Sequence, residues 1–207
     1  MLKVNNKLQF VDKYISRFLE NGFHFLSDKK LVLFGAMGAT SDPRKGFKEL
    51  SDAMGKLTSQ DIEFVVFGSS KPQNAPNLGF KTHYLGSLHD DVSLVTLYSA
   101  VDVMIVPSLQ ENLSNAIMES LSCGTPVVAF DIGGNSDMIE HQNTWYLAKP
   151  FDATDLKDGI EWVLNSSNYD ELYVNARKKA REEFDSVVVA KRYMELYEEM
   201  IKWEKFS

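Results

Sequence analysis

Apolar residues fall along this chain in two alternating rhythms. Short unbroken runs, "KLVLFGAMG" (30–38), "IEFVVFG" (62–68), "VDVMIVP" (101–107) and "PVVAF" (126–130), have the pattern of strands buried on both faces. Two shorter runs, "THYLGS" (82–87) and "TWYLA" (144–148), read as minor strands. Between them apolar residues recur at helical spacing. Phe47, Leu50, Met54 and Leu57 mark one face over 46–57, and further helices are predicted over 91–100, about 113–123 and near 135–141.

The two ends depart from this alternation. Residues 8–20 carry Phe10, Val11, Tyr14, Ile15, Phe18 and Leu19 at helical spacing, and Asn21-Gly22 ends them, so a leading helix is expected. Three helical segments, about 152–165, 168–184 and 186–205, close the chain with no strand between them. In the last, Val189, Tyr193, Leu196, Met200 and Trp203 form a stripe that needs something to pack against. The pattern predicts an α/β fold: a doubly wound parallel sheet with helices on both faces and extra C-terminal helices. Such sheets bind ligands beyond the carboxyl ends of their strands. The Gly-rich and polar segments 35–46, 68–70, 86–89 and 107–115 are expected to converge there on one crevice.

Composition narrows the classes. The chain has 207 residues, 44% hydrophobic and 25% charged, which is ordinary globular composition and argues against disorder. Its 22 basic and 29 acidic residues give a net charge of −7, spread along the chain. A nucleic-acid binder is more often basic, so affinity for an anion must be local, and no nucleic-acid partner is expected. A single cysteine, Cys123, excludes an intramolecular disulfide and a Cys-rich metal cage and fits a reducing cytoplasm. The opening "MLKVNNKLQF" lacks the apolar core of a signal peptide, and no apolar run approaches a membrane span. A soluble cytoplasmic domain is the expectation.

Candidate chemistry lies in two of the loops. In "GATSDPRKGF", Gly35 and Gly38 let backbone approach a ligand, and Arg44 and Lys45 stand at the start of a helix, together making a phosphate cradle. The G-x(4)-G-K-[ST] spacing of a P-loop is absent, and alone such a basic pair is more often a solvated helix cap. In "PSLQENLSNAIMESLSCGTPVVA", Glu111 precedes a helix and Glu119 lies about two turns into it, so both are expected to face one crevice. Between them the backbone N–H groups of Asn112, Leu113, Ser114 and Asn115 form the helix N-terminus, which suits a phosphate. Carboxylates accept from hydroxyls, and amides, Arg and Lys donate to phosphate oxygens. A nucleotide-sugar, with hydroxyls at both ends and phosphates between, fits the whole row.

Other readings compete. Alone, the two acids are best read as solvated surface. A retaining hydrolase also uses two carboxylates, but about 5 Å apart and without a phosphate cradle. His24, His83, His89 and His141 lack metal-ligand spacing and read as capping or surface residues, with His89 able to border the pocket. Cys123 and the three tryptophans read as packing residues.

The set "PSLQENLSNAIMESLSCGTPVVAFDIGGNSDMI", with "RKGF", "VVFG" and "YLGSL" in order before it, resembles the donor-site signature of glycosyltransferase family 4 over about residues 30–165. The resemblance implies the C-terminal, nucleotide-sugar-binding Rossmann-like domain of a GT-B enzyme, one half of that fold. It implies a retaining, metal-independent transfer of a sugar to an acceptor hydroxyl, in polysaccharide or glycoconjugate biosynthesis, with no cofactor beyond the nucleotide-sugar co-substrate. By position, Lys45 helped by Arg44 would serve the diphosphate and Glu111 the transferred sugar. Glu119 would take the ribose hydroxyls, Asn112 to Asn115 would offer amides, and Gly68, Leu85 and Gly86 would frame the base. Glu111, Lys45 and Arg44 would be the catalytic groups.

The division expected from this is an interdomain segment over 1–29, a donor domain over 30–185 and a last helix over 186–207 that packs toward an N-terminal half. That half would hold the glycan or lipid-linked acceptor, and the full-length enzyme would associate peripherally with the inner face of the membrane. The isolated domain would be inactive. Two departures from the family pattern stand out: Ala36 where many relatives carry arginine, and Asn112-Leu113-Ser114 where relatives often have Gly-Phe-Gly. A non-catalytic nucleotide-binding or regulatory module, and half of a GT-B nucleotide-sugar epimerase, remain as alternatives.

Overall fold

The computed structural model describes residues 29–35, 38, 40–58, 61–71 and 77–204. The leading helix expected over 8–20, all but Lys29 of the segment 1–29, and Ala36 lie outside the described residues. In chain order the described elements are β1 (Lys30–Gly35), a 3-10 turn (Pro43–Lys45), α1 (Phe47–Met54), β2 (Ile62–Phe67), β3 (Thr82–Tyr84) and α2 (Asp91–Ala100). They continue with β4 (Val103–Val106), α3 (Asn115–Cys123), β5 (Val127–Phe130), α4 (Asn135–Met138) and β6 (Tyr146–Ala148). Then come α5 (Ala153–Leu164), α6 (Tyr169–Glu183) and α7 (Ser186–Glu204).

The six strands form one sheet in the order β3-β2-β1-β4-β5-β6, every pair parallel. All residues of β2, β4 and β5 are buried, because helices cover both faces of the sheet. On one face Leu33, Val65, Met104 and Val127 pack against Leu97 and Tyr98 of α2, Ile117 and Leu121 of α3, and Leu172 and Ala176 of α6. On the other, Phe34, Phe64, Ile105 and Val128 meet Leu50 and Met54 of α1 and Leu156, Ile160 and Val163 of α5. The alternating strand positions therefore feed two separate apolar layers, and the doubly wound α/β architecture is as expected.

Local chemistry sets the helix ends. The Asp90 side chain accepts from the Ser93 amide at 2.8 Å to start α2, and Asp152 does the same for Thr154 at 2.8 Å to start α5. Gly124, at φ +74, ends α3, and the ring of Tyr173 occupies the space a Cβ would need. Most elements are shorter than expected, and at three boundaries the local cause is plain. Helix α3 begins at Asn115, not near 113, because the Asn112 carbonyl is already held by the Gly134 amide at 2.6 Å. Strand β3 stops at Tyr84 rather than running to 87, since Gly86 turns at φ +67. Helix α4 ends at Met138 rather than 141, where Ile139 adopts extended backbone and the Thr144 hydroxyl accepts from the Glu140 amide at 2.8 Å.

The C-terminal helices are not alike. α5 and α6 bury one face each, whereas in α7 Val188 and Val189 are half-buried and the apolar residues from Tyr193 to Trp203 are exposed, Trp203 at 78%.

Candidate functional site

Strands β1 and β4 are neighbours in the sheet, with Val32 opposite Val103, although β2 and β3 separate them in sequence. Strand order reverses between them, and the loops at their carboxyl ends enclose a crevice. These two loops are joined directly. The Leu109 amide donates to the Arg44 carbonyl at 2.7 Å. Gly46, at φ +69, lies against Pro107 so closely that a Cβ would overlap its carbonyl oxygen.

The joining extends to both sides. The Gly134 amide donates to the Asn112 carbonyl, tying the loop after β5 to the loop after β4. In the other direction Gly38 donates to Gly68 at 3.1 Å and Gly68 to Gly86 at 2.7 Å, while the hydroxyls of Thr40 and Ser69 meet at 2.9 Å. Five strand ends thus share one hydrogen-bonded rim, from Gly86 to Gly134. The positive φ of Gly68 and Gly86 makes those turns possible. Gly35 serves otherwise: its backbone is not left-handed, and the ring of Phe67 fills the space where a Cβ would stand.

At the mouth lies a cavity of about 390 Å³ lined by Arg44, Lys45, Gln110, Glu111 and Asn112. Lys45 Nζ stands 3.5 Å from Glu111 Oε2, with the two side chains 28% and 17% exposed. A cation and a carboxylate, partly shielded from water, face the same space, so it can serve an anionic and a hydroxyl-bearing group side by side. Arg44 is more exposed, and its guanidinium grips Asp42, Nε to Oδ1 at 3.0 Å and Nη2 to Oδ2 at 2.7 Å. Hydrogen bonds from the Arg44 side chain and amide hold the Asp42 carboxyl down to about 2.

Sequence reasoning expected Glu119 to face the same crevice as Glu111. Glu119 does not line the cavity; its Oε2 instead accepts from the Tyr98 hydroxyl at 2.9 Å. Burial, and then the charge of Glu119, push the Tyr98 phenol up, so it remains a donor. The amides read as one helix N-terminus are divided too. Asn112 and Leu113 lie in the loop, and Ser114 is the N-cap of α3 but makes no side-chain capping hydrogen bond. Asn112, Leu113 and Asn115 are exposed and Ser114 is buried. Leu85 is a core residue at 8% exposure, its amide bonded to the Val66 carbonyl.

Gln110, Asp42, Tyr98, Gly133 and Gly134 were not singled out as site residues by sequence reasoning. Gln110 sits beside Glu111 and Asp42 beside the basic pair, so proximity alone was their signal. Tyr98 carried none, being one apolar residue among many in α2. His83 is half-buried, and its Nε2 lies 2.6 Å from Glu63 Oε2 on the edge pair β2–β3. Among the described residues no group of three or more His, Cys, Asp or Glu side chains is placed to hold a metal, and no helix is long and apolar enough to cross a membrane.

Comparison with known proteins agrees with this fold. The chain is 28% identical over 182 residues to N,N'-diacetylbacillosaminyl-diphospho-undecaprenol alpha-1,3-N-acetylgalactosaminyltransferase of Campylobacter jejuni, covering 84% of this chain and 46% of the relative. Among solved structures it superposes on sucrose-phosphate synthase of Thermosynechococcus elongatus with TM-score 0.74 and 27% identity, over 90% of this chain and 48% of the other. It also superposes on Anabaena HepE, solved with UDP and glucose, with TM-score 0.73 and 21% identity, over 90% of this chain and 52% of the other. The chain spans about half the length of these relatives. The model of the family "Glycosyl transferases group 1" matches residues 28–166, the sheet and every loop of the rim, and the chain belongs to that family.

Proposed function

We propose that this chain is the donor-binding half of a retaining family 4 glycosyltransferase of hexosyltransferase type. Such an enzyme moves a sugar from a nucleotide-sugar to an acceptor hydroxyl, in polysaccharide or glycoconjugate biosynthesis. The observation that carries this is the Lys45–Glu111 pair at 3.5 Å in the cavity where strand order reverses. The family membership supports it, as do the UDP and glucose of HepE and the glycosyl-transfer named for the Campylobacter relative.

In this reading Lys45 exchanges its partial pairing with Glu111 for the diphosphate, and Glu111 turns to the transferred sugar's hydroxyls. The acceptor hydroxyl attacks the anomeric carbon as the bond to the diphosphate breaks, charge develops on the leaving oxygen, and that oxygen takes up the hydroxyl's proton. Lys45 and the amides at the start of α3 oppose that charge, and Arg44 joins them by leaving Asp42. Gly38, at φ +68, lets the loop after β1 approach the phosphates, while Gly35 seats the Phe67 ring beneath it, and Asn112 to Asn115 offer polar groups around sugar and phosphate. Gly68, Leu85 and Gly86 frame the base, and Glu119 takes the ribose. No metal or further cofactor is required by this scheme. The glycan or lipid-linked acceptor belongs to an N-terminal half, without which the donor half binds its nucleotide but transfers little. The full-length enzyme works at the cytoplasmic face of the membrane.

Calorimetric titration with UDP, GDP, ADP and their sugar conjugates tests the reading. Saturable binding of one nucleotide, weakened in Lys45→Ala and in Glu119→Ala, supports it. Binding that neither substitution weakens would place the ligand elsewhere.

A further inference from the structure

Helix α2 carries a buried tyrosine, Tyr98, whose hydroxyl the proposed transfer does not use. Tyr98 is 1% exposed, yet its hydroxyl reaches Glu119 Oε2, on an exposed residue of the neighbouring helix. Its ring stands edge-on to Phe67, centroids 5.9 Å apart and planes at 84°. Phe67 in turn is seated over Gly35, where a Cβ would collide with its ring. The Tyr98 carbonyl accepts from the buried hydroxyl of Thr125, which fixes the backbone beneath the ring. The phenol cannot swing away without displacing the Phe67 ring from its seat over Gly35.

We infer that Tyr98 is a positioning residue that holds the Glu119 carboxylate in the one orientation that receives the two ribose hydroxyls of a nucleoside diphosphate; this rests on the donor-site reading above. An exposed glutamate on a helix otherwise samples several rotamers. A carboxylate has about four acceptor positions and no donor. The Tyr98 hydroxyl takes one of them, on Oε2, and is the one hydrogen bond Glu119 makes among the described residues. The acceptor positions of Oε1 and the second of Oε2 are left for a vicinal diol. Because the tyrosine is anchored through Phe67 and Gly35 to the strand ends that frame the crevice, the acid is set relative to the place where the base must lie.

The test is titration of the 207-residue chain with UDP, GDP and ADP and with their 2′,3′-dideoxy forms, in wild type, Tyr98→Phe, Glu119→Ala and the double variant. Tyr98→Phe removes only the hydroxyl and keeps the ring between Phe67 and the core. The expected result is about tenfold weaker binding of the ribonucleotide in Tyr98→Phe, an unchanged affinity for the dideoxy form, and no further loss when Tyr98→Phe is added to Glu119→Ala. Equal weakening of both nucleotide forms would mean that Tyr98 only packs, and would overturn the inference while leaving the donor site standing. So would a Tyr98→Phe variant that still prefers the ribonucleotide as strongly as wild type. A wild type that binds no nucleotide, or binds both forms alike, overturns the ribose role of Glu119 and the inference with it.

Discussion

Lys45 Nζ and Glu111 Oε2 lie 3.5 Å apart although 66 residues separate them in the chain, the first from the loop after β1 and the second from the loop after β4. The contact exists because these strands are adjacent at the point where the sheet reverses its order. Each group offsets the other's charge at the mouth of the cavity.

Different parts of the donor should depend on the two members of this pair. Lys45→Ala is expected to weaken a nucleoside diphosphate by about 10- to 100-fold, the worth of a charge-assisted hydrogen bond, and to leave the free nucleoside unaffected. Glu111→Gln is expected to weaken the nucleotide-sugar while leaving the nucleoside diphosphate within about twofold. Calorimetry on both variants checks this, and equal losses for diphosphate and nucleotide-sugar in Glu111→Gln would assign the acid to the phosphate end instead.

Asp42 competes with any anion for the Arg44 guanidinium through its two-oxygen grip. Asp42→Asn keeps an acceptor for the Arg44 amide and removes the charge, so pyrophosphate is expected to bind several-fold more tightly, with the gain disappearing in Asp42→Asn/Arg44→Ala. The depressed carboxyl also sets a sign with pH. Whatever stability the pair gives is present above the ordinary carboxylate range and is lost as pH falls toward about 2. That contribution is small because both groups face water.

Glu63 is the opposite case, an acid buried at 5% exposure and held by His83 at 2.6 Å and Lys81 at 3.3 Å. Burial acts to raise its carboxyl, and the hydrogen bonds from His83 and Lys81 outweigh it, so the net direction is down. Its contribution is therefore complete above the ordinary carboxylate range and is lost as pH falls below it. Glu63→Gln is expected to cost about 1–2 kcal/mol, less than a fully enclosed pair, because the Lys81 side chain can turn to solvent. Thermal melts from pH 7 to pH 3 should show wild type and variant converging; parallel curves would exclude the assignment.

Gly46 is the tightest point of the rim. A Cβ there would meet the Pro107 carbonyl oxygen from a left-handed backbone, so Gly46→Ala is expected to destabilise by about 3 kcal/mol or more and to part the loops that Leu109 and Arg44 join. Denaturant unfolding measures the first. Loss of nucleotide binding at temperatures where the variant remains folded measures the second.

Much of the fold was legible because its strands are buried on both faces. "IEFVVFG", "VDVMIVP" and "PVVAF" contain almost no polar residues, and a run that needs two apolar covers reads as an interior parallel strand. Helix α7 shows the limit of such reading. Its stripe was visible as periodicity, but a period states only that a face is apolar, and among the described residues Tyr193, Leu196, Met200 and Trp203 remain exposed.

By itself the sequence determined the alternation of elements, the doubly wound class, and the loops that would gather at the carboxyl ends of the strands. It also placed Arg44, Lys45, Glu111 and Asn112 correctly in one neighbourhood, since each lies just beyond a strand that the pattern identifies. Only the tertiary structure decided which groups touch. It parted Glu119 from that cavity and gave it to Tyr98, closed Arg44 onto Asp42, and joined Lys45 to Glu111. The reason is physical: periodicity records which face of an element avoids water, whereas side-chain pairing depends on strand order and loop path, and those follow from how distant elements pack.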